Sequence, residues 1–197
     1  VFPALAVAAD TPAPADLAAL FPHRPRAVRL EIGFGGGEHL IARAAAEPDA
    51  GFIGVEPFVN GMAKALVALD AAGPRNVRLH FADAAGLLPW LPPASLTRID
   101  LLYPDPWHKR RHWKRRFVQT ESLKARARLL RAGGEFRFAT DIPHYGEWAL
   151  VRLLRSGAFE WTAEKASDWL EPWPGFPGTR YEAKAKREGR KPAYFRF

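Results

Sequence analysis

The sequence predicts an α/β fold, a mostly parallel sheet of about seven strands with helices on both faces. Three observations predict it. Short runs rich in β-branched and aromatic residues alternate with longer stretches of helical composition. Glycine or proline closes most of these segments. The first strand-like run ends in the glycine cluster 33–37, which turns straight into a helix. The 197 residues are 48% apolar and 25% charged, enough for one domain that needs no covalent staple. No cysteine is present, so disulfides, thiolate metal sites and cysteine nucleophiles are excluded. No apolar run is long enough to span a bilayer.

The elements follow in order. Residues 1–25 carry five prolines and read as an arm with at most one short helix, around 16–20. The apolar start lacks the basic residues of a signal peptide, so a cytoplasmic protein is expected. The chain opens on Val1 and not methionine, so the arm is expected to be truncated. Residues 26–197 form the main domain. Its first strand is 28–32, followed by a helix over 38–46 that stops at Pro48. The second strand is 51–55, with a helix over 59–72 before Gly73. Strands follow at 77–81 and 96–103. A long helix is expected over 114–131, halted by Gly133 and Gly134. The fifth strand is 135–139 and its helix 143–156. A sixth strand near 159–163 and a last near 193–197 complete the sheet. The Trp/Pro/Gly-rich loop 169–179 between them is long for a plain connection, which points to function.

The net charge of +8 is concentrated. Residues 109–116 hold six basic residues and no acid, and residues 178–197 hold seven against Glu182 and Glu188. The rest of the chain is net acidic. Two cationic segments suit a polyanion, of which nucleic acid is the commonest, although a solvated basic face has the same composition.

Open parallel sheets bind ligands beyond the carboxyl ends of their strands. The first strand ends with Glu31 and Ile32, and Gly33, Gly35 and Gly37 follow in a Gly-x-Gly-x-Gly spacing. This is neither the Gly-x-Gly-x-x-Gly of a dinucleotide fold nor a P-loop. An acid two residues before the first glycine suits a ligand with a cationic end and no phosphate, such as S-adenosylmethionine. Glu56 ends the second strand, where a carboxylate accepts the two hydroxyls of a ribose. Asp83 follows the third strand, where it would accept from an adenine amine. Each acid alone is equally an N-cap or a solvated carboxylate. Three in register at successive strand ends point to a nucleoside cofactor.

The stretch 101–116, Leu-Leu-Tyr-Pro-Asp-Pro-Trp-His-Lys-Arg-Arg-His-Trp-Lys-Arg-Arg, carries the most information. Asp105 lies between two prolines, which stiffen its backbone at the end of the fourth strand. Trp107 offers a stacking face, and Lys109, Arg110, Arg111, Lys114, Arg115 and Arg116 follow. An acid and an aromatic leading into cationic surface suit a purine within a nucleic acid, and the six basic residues are the candidates for RNA contact. His108 and His112 have the spacing of helical metal ligands, but the cations around them argue against a metal.

Tyr-Pro-Asp-Pro-Trp-His-Lys at 103–109, followed by Arg-His-Trp-Lys-Arg-Arg at 111–116, resembles the bacterial tRNA (guanine-N7)-methyltransferases of the TrmB type. Glu-Ile-Gly-Phe-Gly-Gly-Gly at 31–37, Gly-Val-Glu at 54–56, Ala-Thr-Asp at 139–141 and Thr-Arg-Tyr-Glu at 179–182 are similar to further motifs of that family. The arm departs from it, being apolar and proline-rich where the family carries a basic segment. The resemblance implies a Rossmann-like methyltransferase fold and methyl transfer from S-adenosylmethionine to N7 of guanosine 46 in the tRNA variable loop. It also implies that Glu31, Gly33, Gly35, Gly37, Glu56, Asp83 and Asp105 hold the cofactor. Asp105 is then the catalytic residue, and Lys109, Asp141, Thr179, Arg180, Tyr181 and Glu182 bind substrate. No membrane and no obligate protein partner are implied. A small-molecule or protein methyltransferase, and a non-catalytic RNA-binding module, remain open on the same fold.

Overall fold

The computed structural model describes residues 2–197. Val1, the first residue of the expected arm, lies outside the described residues. The sheet has six strands, β1 (Ala27–Ile32), β2 (Ala50–Val55), β3 (Val77–His80), β4 (Leu96–Leu102), β5 (Leu130–Thr140) and β6 (Ala193–Arg196). Their spatial order is β3-β2-β1-β4-β5-β6. All neighbours pair in parallel except β5 and β6, which are antiparallel. Every residue of β2 is buried, as expected of a strand covered on both faces.

Helices cover both faces. They are α1 (Phe2–Leu5), α2 (Glu38–Ala46), α3 (Val59–Ala72), α4 (Ala84–Trp90), α5 (Thr120–Leu129), α6 (Pro143–Arg155), α7 (Ser167–Leu170) and α8 (Arg180–Arg187). Leu40 of α2 and Met62, Ala65 and Leu69 of α3 pack with Phe52 and Leu79. The larger cluster joins Leu30, Ile99, Phe136 and Phe138 of the sheet to Leu87, Leu123, Tyr145 and Leu153. Among the described residues no helix is long and apolar enough to cross a membrane.

Several expected boundaries are corrected. The helix expected over 114–131 is split into a 3-10 turn, Arg110–Arg115, and α5. The reason lies in the side chain of Gln119, whose Nε2 donates to the carbonyls of Trp113 at 2.7 Å and Arg116 at 3.1 Å. Those acceptors are thereby satisfied without a continuous helix. The strand expected near 159–163 does not form. Thr162 reaches Arg196 O through its N–H (3.1 Å) and its hydroxyl (3.0 Å), while Phe159 and Trp161 pack their rings on Phe136 and Phe195. Among the described residues the sheet therefore has six strands, in keeping with the approximate seven expected. Helix α4 was not expected; Asp83 caps it, Oδ1 accepting from Ala85 N at 2.7 Å.

The arm holds α1 and, at Leu17–Leu20, the short helix expected there as a single 3-10 turn capped by Asp16. It packs along the outer edge of β3. Val7 N donates to Leu79 O at 2.8 Å, and His80 Nδ1 lies 2.9 Å from Val7 O. An edge that would expose unpaired backbone is thus covered.

Candidate active site

The chain winds outward from β1 to β3, then returns and winds the other way through β4 and β5. The carboxyl ends of β1 and β4 therefore part, and a cleft of about 560 Å³ opens beside them. Gly33 and Gly35 form its floor, with φ of +71° and +59° that favour glycine. No heavy atom lies within 4 Å of where a Gly33 Cβ would stand, so the backbone is open to a ligand there.

Glu56 is 3% exposed and lines the cleft. Its Oε2 accepts from Gly35 N at 2.8 Å and its Oε1 from Phe58 N at 2.9 Å. Each carboxylate oxygen has a second acceptor site, so Glu56 holds the glycine loop and retains capacity for ribose hydroxyls. Asp83 also lines the cleft while its Oδ1 caps α4.

Asp105 is exposed on the wall beyond β4. The residues that bracket its proline frame, Tyr103 and Trp107, have φ of +50° and +44°. Such conformations cost bulky residues on the order of 1–3 kcal/mol each and persist only when surroundings impose them. Tyr103 N donates to Ala139 O at 2.8 Å, and Arg116 Nε donates to Pro106 O at 2.8 Å. Trp107 lines the same wall, with the Arg115 guanidinium 4.9 Å from its ring centre and His112 edge-on at 5.9 Å.

Arg180 and Tyr181, at the start of α8, close the cleft from above. Arg180 Nε donates to Glu38 Oε1 at 2.7 Å, and Tyr181 lies over Gly35.

The remaining expected residues lie off this wall. Gly37 begins α2 with φ +83°, and a Cβ there would stand 3.0 Å from Ala65 Cβ, so it serves helix packing. Glu31 is buried beneath the loop, 2.7 Å from His39 Nδ1. Burial raises the Glu31 carboxyl above its ordinary range. Burial draws His39 down, but the charge and hydrogen bond of Glu31 outweigh it and leave the imidazole raised. Asp141 accepts from Arg190 Nε at 2.5 Å. Thr179 caps α8, Oγ1 accepting from Glu182 N at 3.0 Å. Glu182 is buried, accepts from Tyr194 OH at 2.6 Å and pairs with Lys186. Lys109, Arg110, Arg111, Lys114 and Arg115 are exposed. Arg116 is not: at 2% exposure it has no access to a phosphate, which corrects its assignment as an RNA contact.

The structure adds residues the sequence did not mark: Phe58, Asn60, Gly61 and Lys64 from the start of α3, and Phe117. Gly61 and Lys64 lie three residues apart on one face of α3, a spacing that is visible in the sequence. A Cβ on Gly61 would stand 2.6 Å from Gly35 O, a backbone atom that cannot swing aside. Gly61→Ala is therefore expected to displace the glycine loop at a cost of about 1–3 kcal/mol. Calorimetric titration with S-adenosylhomocysteine should show weakened binding, and wild-type affinity would show that the loop is not built on this contact.

A nucleoside with a cationic end fits this set: open glycine backbone, a ribose-capable Glu56, and Asp83 and Asp105 on facing walls. The family model described as "Putative methyltransferase" matches residues 25–194. The tRNA (guanine-N(7)-)-methyltransferase of Rhodopseudomonas palustris (strain HaA2) is 59% identical over 197 residues, covering 100% of this chain and 77% of that protein. That of Rhizobium meliloti (strain 1021) is also 59% identical over 197 residues, covering 100% of this chain and 85% of that protein. Among solved structures, the 16S rRNA methyltransferase KamB superposes with a TM-score of 0.60 at 19% identity, covering 87% of each chain. At that identity the likeness concerns the fold alone.

Proposed function

The chain belongs to the bacterial tRNA (guanine-N7)-methyltransferase family, and on that premise we propose that it methylates guanosine 46 in the variable loop of tRNA. The observation that supports this reading most is Asp105. It stands exposed in a proline frame on the cleft wall, beside Trp107 and ahead of a run of exposed cations.

S-adenosylmethionine, when bound, supplies an electrophilic methyl group. Glu56 would hold its ribose, Asp83 its adenine amine, and Gly33 and Gly35 the backbone around its amino-acid end. Guanine N7 has a lone pair and no proton, so no general base is required of the chain. What the chain has to supply is alignment, and negative charge near a ring that becomes cationic. We assign these tasks to Asp105, with Trp107 as the stacking face. Asp141 is assigned to the guanine N1–H and N2 edge, which requires Arg190 to yield its hydrogen bond. Thr179 and Glu182 act by shaping the start of α8, from which Arg180 and Tyr181 face the cleft. Glu31, paired with His39, supports the glycine loop, and the exposed Lys109, two residues after Trp107, is assigned to the RNA.

Incubation with labelled S-adenosylmethionine, unmodified tRNA and a protein control tests the reading. Label should enter tRNA alone, appear as 7-methylguanosine after digestion, and vanish when guanosine 46 is replaced. Label in the protein control, or retained after that replacement, would overturn it.

The exposed cations give a further expectation. Phosphate contacts add about −0.9 each to the log–log salt slope of binding on duplex, and about −0.7 on single strands. Arg110 and Arg111 are both exposed. Replacing both with alanine should weaken tRNA binding at low salt and flatten the slope by about one to two units. S-adenosylhomocysteine affinity should be unchanged. Parallel salt lines for the two proteins would remove these arginines from the RNA path.

A further inference from the structure

Arg116 is the last cation of the basic run and the one among them that is buried. It is among the largest fully buried side chains of the molecule, 2% exposed. Its guanidinium lies 5.0 Å from the Trp113 ring centre and 4.9 Å from those of Tyr145 and Trp148. Its Nη2 is 3.1 Å from His144 Nδ1, and its Nε donates to Pro106 O at 2.8 Å. No carboxylate is among these partners. A buried cation without an anionic partner is costly, so aromatic faces and hydrogen bonds must hold it.

These contacts connect α6 to the proline frame. His144, Tyr145 and Trp148 all belong to α6. The same helix takes up the two residues that follow Arg116: Phe117 N donates to Tyr145 OH at 3.1 Å, and Trp148 Nε1 donates to Val118 O at 2.8 Å. On its other side Arg116 grips the carbonyl of the residue directly after Asp105, in a turn bracketed by the left-handed Tyr103 and Trp107. Prolines stiffen φ but leave ψ free, so they do not by themselves anchor the turn to the domain.

We propose that Arg116 is a positioning residue for methyl transfer: it locks the Pro104–Asp105–Pro106–Trp107 turn to α6 and so sets where the Asp105 carboxylate stands. This rests on the function proposed above. Displacement of a catalytic group by about 1 Å costs on the order of a hundredfold in rate.

Arg116→Gln and Arg116→Met test it as a pair. Both are neutral, and neither leaves a buried carboxylate unpaired, so both should fold. Glutamine keeps an N–H donor for Pro106 O, and methionine does not. With tRNA and S-adenosylmethionine saturating, kcat should fall about a hundredfold in the methionine variant and by clearly less in the glutamine variant. S-adenosylhomocysteine affinity and the salt slope of tRNA binding should stay at wild-type values in both. Equal kcat in the two variants, or wild-type kcat in the methionine variant, would overturn the proposal. So would a salt slope flattened by about 0.7–0.9, which would make Arg116 a phosphate contact, or a loss of cofactor affinity matching the loss of rate. Melting temperature checks folding; if the methionine variant melts early, Trp148→Phe, which keeps Arg116 but removes the indole donor to Val118 O, should lower kcat with cofactor affinity intact, and unchanged kcat there is equally contrary. A wild-type protein inactive on tRNA would overturn the functional reading instead, while leaving the hydrogen bond itself in place.

Discussion

Asp105→Ala is expected to lower kcat on tRNA by about 10²–10³-fold, the loss typical when one preorganised electrostatic group facing developing charge is removed. The carboxylate is exposed and, among the described residues, takes part in no hydrogen bond or ion pair, so its removal leaves no partner stranded. Stability should therefore change by no more than about 0.5 kcal/mol. The turn should survive, since Pro104, Pro106, the Tyr103–Ala139 bond and the Arg116–Pro106 bond are untouched. Asp105→Asn separates charge from shape: asparagine fits the same space and keeps one acceptor, but offers no negative charge to a cationic ring. It should lose most of the activity too. Single-turnover kinetics with saturating tRNA and cofactor read the effect directly. Near wild-type turnover in either variant would refute the assignment of Asp105.

Glu56→Ala should weaken S-adenosylhomocysteine binding by about ten- to a hundredfold, the loss of charge-assisted hydrogen bonds worth roughly 1.5–3 kcal/mol. Unlike Asp105, Glu56 has a structural task. Its two oxygens accept from Gly35 N and Phe58 N, and removing them strands two backbone donors at the cleft. The melting temperature should fall together with the affinity. Asp83→Ala provides the contrast, because its structural contact is a single cap on a seven-residue helix. Calorimetry and thermal melts on the three proteins decide the matter. Unchanged cofactor binding in Glu56→Ala would take Glu56 out of the site.

The strand ends beside Glu31, Glu56 and Asp105 were legible because the sequence marks each with its own glycine or proline. Ile32 is followed by Gly33, Val55 by Glu56-Pro57, and Leu102 by Tyr103-Pro104. Once the strands are placed, the open-sheet rule puts the residues after them at one edge. The helix boundary near residue 114 was not legible. Residues 114–119 have acceptable helical composition, and only the Gln119 side chain and the approach of Tyr145 from a distant helix break the hydrogen-bond pattern. The missing strand near 159–163 fails for a related reason: its aromatic residues suit a strand, but they pack as side chains on Phe136 and Phe195 rather than pairing as backbone.

By itself the sequence determined the alternation of strands and helices, the glycine loop, and the places of Glu56, Asp83 and Asp105 after successive strands. All of these are local patterns, written within a few residues of one another, and local spacing is what a sequence states openly. Only the tertiary structure decided which of two adjacent arginines is exposed and which is buried against the proline-framed turn. Arg115 and Arg116 are chemically the same and one residue apart. Yet the turn directs one over Trp107 at the cleft, and the other among the rings of α6. In the same way Glu31 is claimed by His39, and Asp141 by Arg190, 49 residues away. Which charge is buried depends on which aromatic or ionic partner the fold carries to it, whether eight residues along the chain, as His39 is from Glu31, or 49, as Arg190 is from Asp141.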